Sequence, residues 1–247
     1  MTTHQYQKKC HREYTDSIKF PKENSYLYGN PVGTVVPIET AIGKVMVIGP
    51  LPSPRVYFVN AIPDVPLTDG TAPFSIEPYF DGSRVRSSYT GQELSDIILE
   101  TLEIQRRHCW LTSLVKVFLF DDDHVKKYHR LGKEIKANRS EYMDYANKSL
   151  KWIRQEIEIA NPYAIILLGE QVISSLLLIS EKEAREQMTG KVIEKKIIWK
   201  NSNFICLPPP GVLMDRSAKN PWPRKFALQI GPTAMKELER LRSQPSI

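Results

Sequence analysis

Val45-Met46-Val47-Ile48-Gly49-Pro50-Leu51-Pro52-Ser53-Pro54-Arg55, VMVIGPLPSPR, begins as a continuous apolar run and breaks into a glycine followed by three prolines in five residues. A run that is apolar at every position, rather than alternating, is the pattern of a strand covered on both faces. Proline cannot continue such a strand, so the chain must leave the sheet near Gly49. The glycine lets the backbone pass close to a ligand, and the prolines lower the ordering cost of binding; the same residues would serve equally as a stiff turn. Downstream, Cys206-Leu207-Pro208-Pro209-Pro210-Gly211-Val212-Leu213-Met214, CLPPPGVLM, repeats the transition from apolar strand to proline loop. The two loops are therefore expected to face each other at one edge of a sheet.

The chain has 247 residues, 41% of them hydrophobic, enough to bury a full core. Residues 1–40 are polar and broken by Pro21, Pro31 and Pro37, and read as an irregular arm wrapped around one domain over residues 41–247. A formal net charge of +6 permits an anionic partner, nucleic acid above all. Cys10, Cys109 and Cys206 are far apart and form no C-x-x-C pair, which predicts a reducing, cytoplasmic setting with no zinc or iron–sulfur site and no cofactor. The N-terminal MTTHQYQKKCHREY has no apolar segment, and the run Ile165 to Leu168 falls far short of the ~20 residues that cross a bilayer. The expectation is a protein neither secreted nor embedded in a membrane.

Periodicity fills in the order of elements. Thr90-Gly91-Gln92-Glu93 reads as a capping box before a helix with Leu94, Ile97, Ile98 and Leu102 on one face. Cys109 to Phe120 reads as a second central strand, and Ser140 as the cap of a long helix stopped by Asn161-Pro162. Tyr163 to Gly169 is a third buried strand followed by a short apolar helix over Gln171 to Ile179. Lys191 to Lys200 and Phe204 to Leu207 add β segments, and Pro232 to Arg242 a last amphipathic helix. Strands alternating with helices predict a three-layer α/β/α sandwich with a mostly parallel central sheet and its ligand site at the carboxyl ends of the strands.

In that order and on those elements the chain resembles the uracil-DNA glycosylase superfamily of DNA repair hydrolases, especially its family-four and family-five branches. Family-four members read G-E-A-P-G in the first loop, P-F before a glycine-led helix, T-N-x-V-K-C on the next strand, an I-x-x-L-G strand and H-P-x in the last loop. The matching stretches are Gly49 to Ser53, Pro73-Phe74 with Thr90-Gly91, Thr112-Ser113-Leu114-Val115-Lys116, Ile165 to Gly169 and Pro208-Pro209-Pro210. The resemblance runs over about residues 44 to 230. It implies DNA as partner, single-stranded or duplex with an extruded base, and a base site at Gly49, Pro52, Phe74 and Ser113. By the same resemblance the water-activating carboxylate falls at Pro50, the uracil-reading asparagine at Ser113 and the leaving-group histidine at Pro208. Cysteines at the family's cluster-binding spacing are absent. The scaffold persists while the chemistry departs, so the expectation is a DNA-binding protein with base excision in doubt, or a non-catalytic binding or assembly protein that keeps the scaffold.

Phe74 is either a platform on which a flipped base stacks or a plain core residue. Leu213 and Met214 follow the last proline loop, where such proteins insert an apolar wedge. Arg216, Lys219, Arg224 and Lys225, with Trp222 among them, suit phosphates beside a kink, or form a solvated segment. The basic stretch His124 to Arg139 is either a solvated face or a second backbone contact. Asp121-Asp122-Asp123 beside His124 reads as a turn rather than a metal site, because adjacent carboxylates diverge. A carboxylate for water activation would have to come from Asp69, Glu77 or Asp215, with Asp69 first.

Overall fold

The computed structural model describes residues 1–27, 29–53, 56–59, 62–66, 72–76, 78–80, 83–87, 89–195 and 202–243, with backbone alone for 56–59, 62–66, 79–80, 87, 89–90 and 194–195. In chain order the strands are β1 (Val45–Gly49), β2 (Val56–Val59), β3 (Ile62–Pro66), β4 (Pro78–Phe80), β5 (Val85–Ser87), β6 (Cys109–Ser113), β7 (Ala164–Leu168), β8 (Val192–Lys195) and β9 (Ser202–Leu207). The helices are α1 (Thr3–Ser17), α2 (Tyr89–Glu93), α3 (Asp122–Arg130), α4 (Tyr142–Ala160), α5 (Glu170–Leu177), α6 (Glu181–Glu186), α7 (Pro210–Met214), α8 (Trp222–Lys225) and α9 (Gly231–Arg242). Wider π-helical turns continue α2 over Leu94–Leu99 and lead into α9 over Phe226–Ile230.

The central sheet has five strands in the order β6-β1-β7-β9-β8. Its first four run parallel, and β8 is antiparallel at the edge. β1, β6 and β7 are buried at every position; β1 and β7 are apolar throughout, as a strand covered on both faces requires, while β6 ends in the buried hydroxyls of Thr112 and Ser113. Alternate side chains divide into two cores. Met46, Ile48, Trp110, Ile165, Leu167 and Phe204 face the layer built by α1, α4 and α5. Val45, Val47, Leu111, Ile166, Leu168 and Ile205 face Leu94, Ile98, Phe226, Ile230 and Leu238 of the opposite layer. From β1 the chain crosses to β6 on one side and later to β7 on the other, which makes the carboxyl end of β1 the point where strand order reverses. Within the long connection after β1, two antiparallel hairpins form from β2 with β3 and from β4 with β5.

Four local readings change. The segment expected as an irregular arm opens with α1, a 15-residue helix. Its signal was present: Thr2 and Gln5 form a capping box, and Tyr6, Cys10 and Tyr14 recur every four residues on the buried face. The run Cys109 to Phe120 is a strand only to Ser113; Leu114 to Phe120 stays buried but leaves the sheet, pairing through isolated bridges at Val117 and Phe120. The helix at Thr90 begins one residue earlier, at Tyr89, so Thr90 lies in its first turn, and the long helix α4 follows a 3-10 turn capped by Asn138 rather than Ser140. Among the described residues no helix is long and apolar enough to cross a membrane.

Beneath α1 lies an ion pair with no exposed surface: Lys116 Nζ sits 2.5 Å from Glu156 Oε1. Lys116 Nζ also donates to Thr112 Oγ1 at 2.7 Å and to the Ser113 carbonyl at 3.0 Å. Glu156 accepts from Tyr6 Oη at 2.7 Å and from Trp110 Nε1 at 2.9 Å. Glu156→Gln should strand a buried ammonium and lower the unfolding free energy by about 3–5 kcal/mol, whereas Tyr6→Phe should cost about 1 kcal/mol. Urea titrations check both, and Lys116→Met added to Glu156→Gln should recover a large part of the loss.

Candidate functional site

β1 ends at Gly49 and β9 at Leu207, and the parallel register Ile48 opposite Leu167 and Leu168 opposite Leu207 puts both ends at one edge. The two proline loops therefore share that edge. Between them is a cavity of about 270 Å³ lined by Pro50, Pro208 and Pro209, by Gly169, Glu170 and Gln171 at the junction of β7 with α5, and by Arg185, Val212 and Trp222. The volume lies just under the ~300 Å³ at which small-molecule sites begin, suiting a single heterocycle. Glu170 Oε2 receives both Nε and Nη2 of Arg185, at 2.8 and 2.7 Å. The polar side chains lining the cavity are thus Gln171 and this pair, none of which was singled out from sequence. The signal available was position: they stand directly after the third strand, beside the reversal of strand order.

Pro50 and Pro208 do come together here. Neither side chain carries a polar group, and the Pro50 carbonyl already accepts from the Val115 amide at 3.0 Å. Pro52 is buried. Gly49, Phe74 and Ser113 form a packed corner instead. A Cβ on Gly49 would stand 2.5 Å from Phe74 Cζ, so the ring lies directly on the glycine. Phe74 is 7% exposed, belongs to the second core and holds a left-handed backbone at φ 54°. Arg106 secures it: Nη2 donates to the Phe74 carbonyl at 2.6 Å, while Nε pairs with Glu39 at 3.0 Å. The approach of Gly91 to the same backbone, where a Cβ would come within 2.3 Å of Phe74 O, explains the glycine that leads the helix. Ser113 is 2% exposed, beside Gly49 in the ladder. Among the described residues, neither Phe74 nor Ser113 lines the cavity. Asp69 and Glu77 lie outside the described residues.

After the last proline loop, Leu213 turns into the core at 6% exposure, leaving Met214 as the exposed apolar side chain at 45%. Arg216, Lys219, Arg224 and Lys225 are all exposed, and Lys225 Nζ lies 5.6 Å from the Trp222 ring. Asp215 is exposed, its carboxylate accepting from the Ser217 amide and hydroxyl at 3.0 and 3.2 Å, and it does not line the cavity. Much of the basic run 124–139 is used internally. Lys133 donates to Ser25 Oγ and to the Tyr26 carbonyl, Arg139 Nε to the Leu119 carbonyl, and Lys136 pairs with Glu23.

Asp121 caps α3 by accepting from the His124 amide at 2.9 Å, and Asp122 and Asp123 occupy the helix's first turn, where its dipole favours them. No group of His, Cys, Asp or Glu among the described residues could hold a metal. The thiols are buried; burial pushes Cys109 and Cys206 up to about 12 and Cys10 to about 11, so none is a ready nucleophile.

With this geometry in place, the sequence profile of the uracil DNA glycosylase superfamily matches residues 40–230. Among curated proteins none matches the chain.

Gly49→Ala should drive the Phe74 ring off its seat and cost about 1–3 kcal/mol, with part regained when Phe74→Leu is added; thermal melts of the single and double variants check this. A pH effect follows from His124. Burial lowers its imidazole from the ordinary 6.5, Asp121 opposing the shift, so the unfolded chain takes up the proton first. The stability this group confers is complete above about 6.5 and declines as pH falls from there through the folded value. Urea midpoints between pH 8 and 5 should show the decline, and His124→Asn should flatten it.

Proposed function

The chain belongs to the uracil-DNA glycosylase superfamily, and from that membership we propose that it binds DNA by taking an unpaired or extruded base into the cavity at the carboxyl edge of the sheet. The observation that carries the reading is the cavity itself, which lies between the first and last proline loops at the reversal of strand order. Its prolines supply shape without flexibility, its apolar walls exclude water, and the Gln171 amide can donate to and accept from a base edge. The exposed Arg216, Lys219, Arg224 and Lys225 stand on the chain that leaves the same loop, and among the described residues none is tied up in an ion pair, so phosphates can approach them.

Base excision is the weaker half of the superfamily's chemistry here. Hydrolysis of a glycosidic bond needs a group to polarise water and stabilisation of charge on the departing base. Pro50 and Pro208 offer neither. Glu170 is the cavity's carboxylate among the described residues, and its Oε2 is already committed to Arg185. General acid–base assistance is typically worth ~100- to 10,000-fold and an electrostatic donor a further ~100- to 1,000-fold, so a site lacking both retains only what pocket and phosphate field provide.

The expected result is binding of oligonucleotides that carry an unpaired or mispaired base, with uracil release near background. Val212→Trp should fill the cavity and weaken that binding at least tenfold. Lys219→Ala with Arg224→Ala should instead reduce the salt slope by about one unit per lost contact, without changing base preference. Equal affinity for wild type and Val212→Trp would overturn the cavity as the base site. Robust uracil release, abolished by Glu170→Gln, would overturn the account of its chemistry.

A further inference from the structure

Beside the cavity lies a second depression of about 590 Å³, and the two share Arg185, Met188 and Trp222 along their common wall. We infer that this groove, between α6 and α8, is a subsite for the nucleotide adjoining the bound base, that Trp222 is its stacking platform, and that the occupant is single-stranded nucleic acid. The inference rests on the base-recognition reading above.

Trp222 is half-buried and packs on both cores with part of its indole, while the rest faces cavity and groove. Its Nε1–H has no acceptor among the described residues, which leaves that donor free for a ligand. The ring's position is fixed by local chemistry. Asn220 Oδ1 accepts from the Trp222 amide at 3.1 Å, while its Nδ2 donates to the carbonyls of Val212 at 2.7 Å and Asp215 at 2.8 Å. Pro221 and Pro223 flank the tryptophan and stiffen the chain on both sides. An aromatic ring held in this way stacks a base without a further ordering cost.

The groove's charges favour a polyanion. Lys182, Arg185 and Lys225 line it against Glu186, and Arg185 answers to Glu170 at the cavity rim. Lys182 has no carboxylate partner among the described residues. Met188 and Ile230 give an apolar floor.

Two features select an unpaired strand over a duplex. In a duplex the base next to an extruded one stays paired and stacked on its far side, so laying it on Trp222 would break that pair; in an unpaired strand it turns onto the ring without that cost. Of the two apolar residues placed to wedge a duplex open, Leu213 is folded into the core, which leaves Met214 alone.

The test compares fluorescence anisotropy of labelled single-stranded DNA with its duplex, both carrying the same target base, against wild type, Trp222→Ala, Trp222→Phe and Lys182→Glu. Trp222→Ala should weaken single-strand binding roughly 5- to 150-fold, the span of one lost base–aromatic stack, and Trp222→Phe should restore part of it. Lys182→Glu, an exposed change on α6 that leaves the core untouched, should weaken single-strand binding and lower its salt slope; duplex affinity should change less in every case. Unchanged single-strand affinity in Trp222→Ala and Lys182→Glu, or equal losses on duplex and single strand, would overturn the groove. If these appear while binding remains sensitive to Val212→Trp, only the groove fails. If wild type binds no oligonucleotide, the groove and the base-recognition reading fall together.

Discussion

A lysine and a glutamate that have both given up all contact with water meet between the sheet and α4, and the rest of the fold is arranged so that they can. Desolvating two charges is expensive, and the attraction between them repays it only when the remaining donors and acceptors are also satisfied. The Tyr6 hydroxyl and the Trp110 indole supply donors to Glu156; Thr112 and the Ser113 carbonyl supply acceptors to Lys116. Even the Lys116 amide is served: it donates to the Tyr14 hydroxyl, which in turn donates to Ser149 Oγ, since the Ser149 proton goes to the Tyr145 carbonyl. Through Lys116 this network also grips the end of β6, next to Gly49 in the ladder. The corner of the sheet where the first proline loop departs is therefore held from beneath by an N-terminal helix.

The sheet was legible because continuous apolar runs such as β1 and β7 mark strands buried on both faces, and strands alternating with helices make a mostly parallel sheet. The same rule failed at Leu114 to Phe120. An apolar run reports burial, and burial continues after the ladder ends. α1 was missed because the prolines of the first forty residues drew the reading toward irregular structure, although the first of them stands at Pro21, after the helix is complete. Ion-pair partners 40 residues apart on different elements leave no mark in local sequence, so Lys116 showed itself only as part of a motif.

At the site, what could be read was place rather than contact. Two strand-to-proline transitions located the edge. That Phe74 lies on Gly49 depends on a left-handed backbone at Phe74 and a guanidinium from Arg106, neither of which periodicity encodes. Side chains at chemically expectant positions, Pro50 and Pro208, bring only rings and carbonyls to the cavity. The polar side chains that line it come instead from α5 and α6, namely Glu170, Gln171 and Arg185, with Trp222 of α8 completing the wall.

The bond from Tyr6 to Glu156 joins residues 150 apart in the chain. On a ribosome adding ~5–20 residues per second, α1 emerges on the order of ten seconds before the carboxylate it serves. Throughout that interval its Tyr6, Cys10 and Tyr14 face has no counterpart, and the sheet has only β1 and, late, β6. The domain is thus built to close from its beginning onto its middle. A fragment cut to the 40–230 span of the superfamily match would begin after α1, leaving Glu156 and Lys116 roofless, and end before α9, uncovering part of the opposite core.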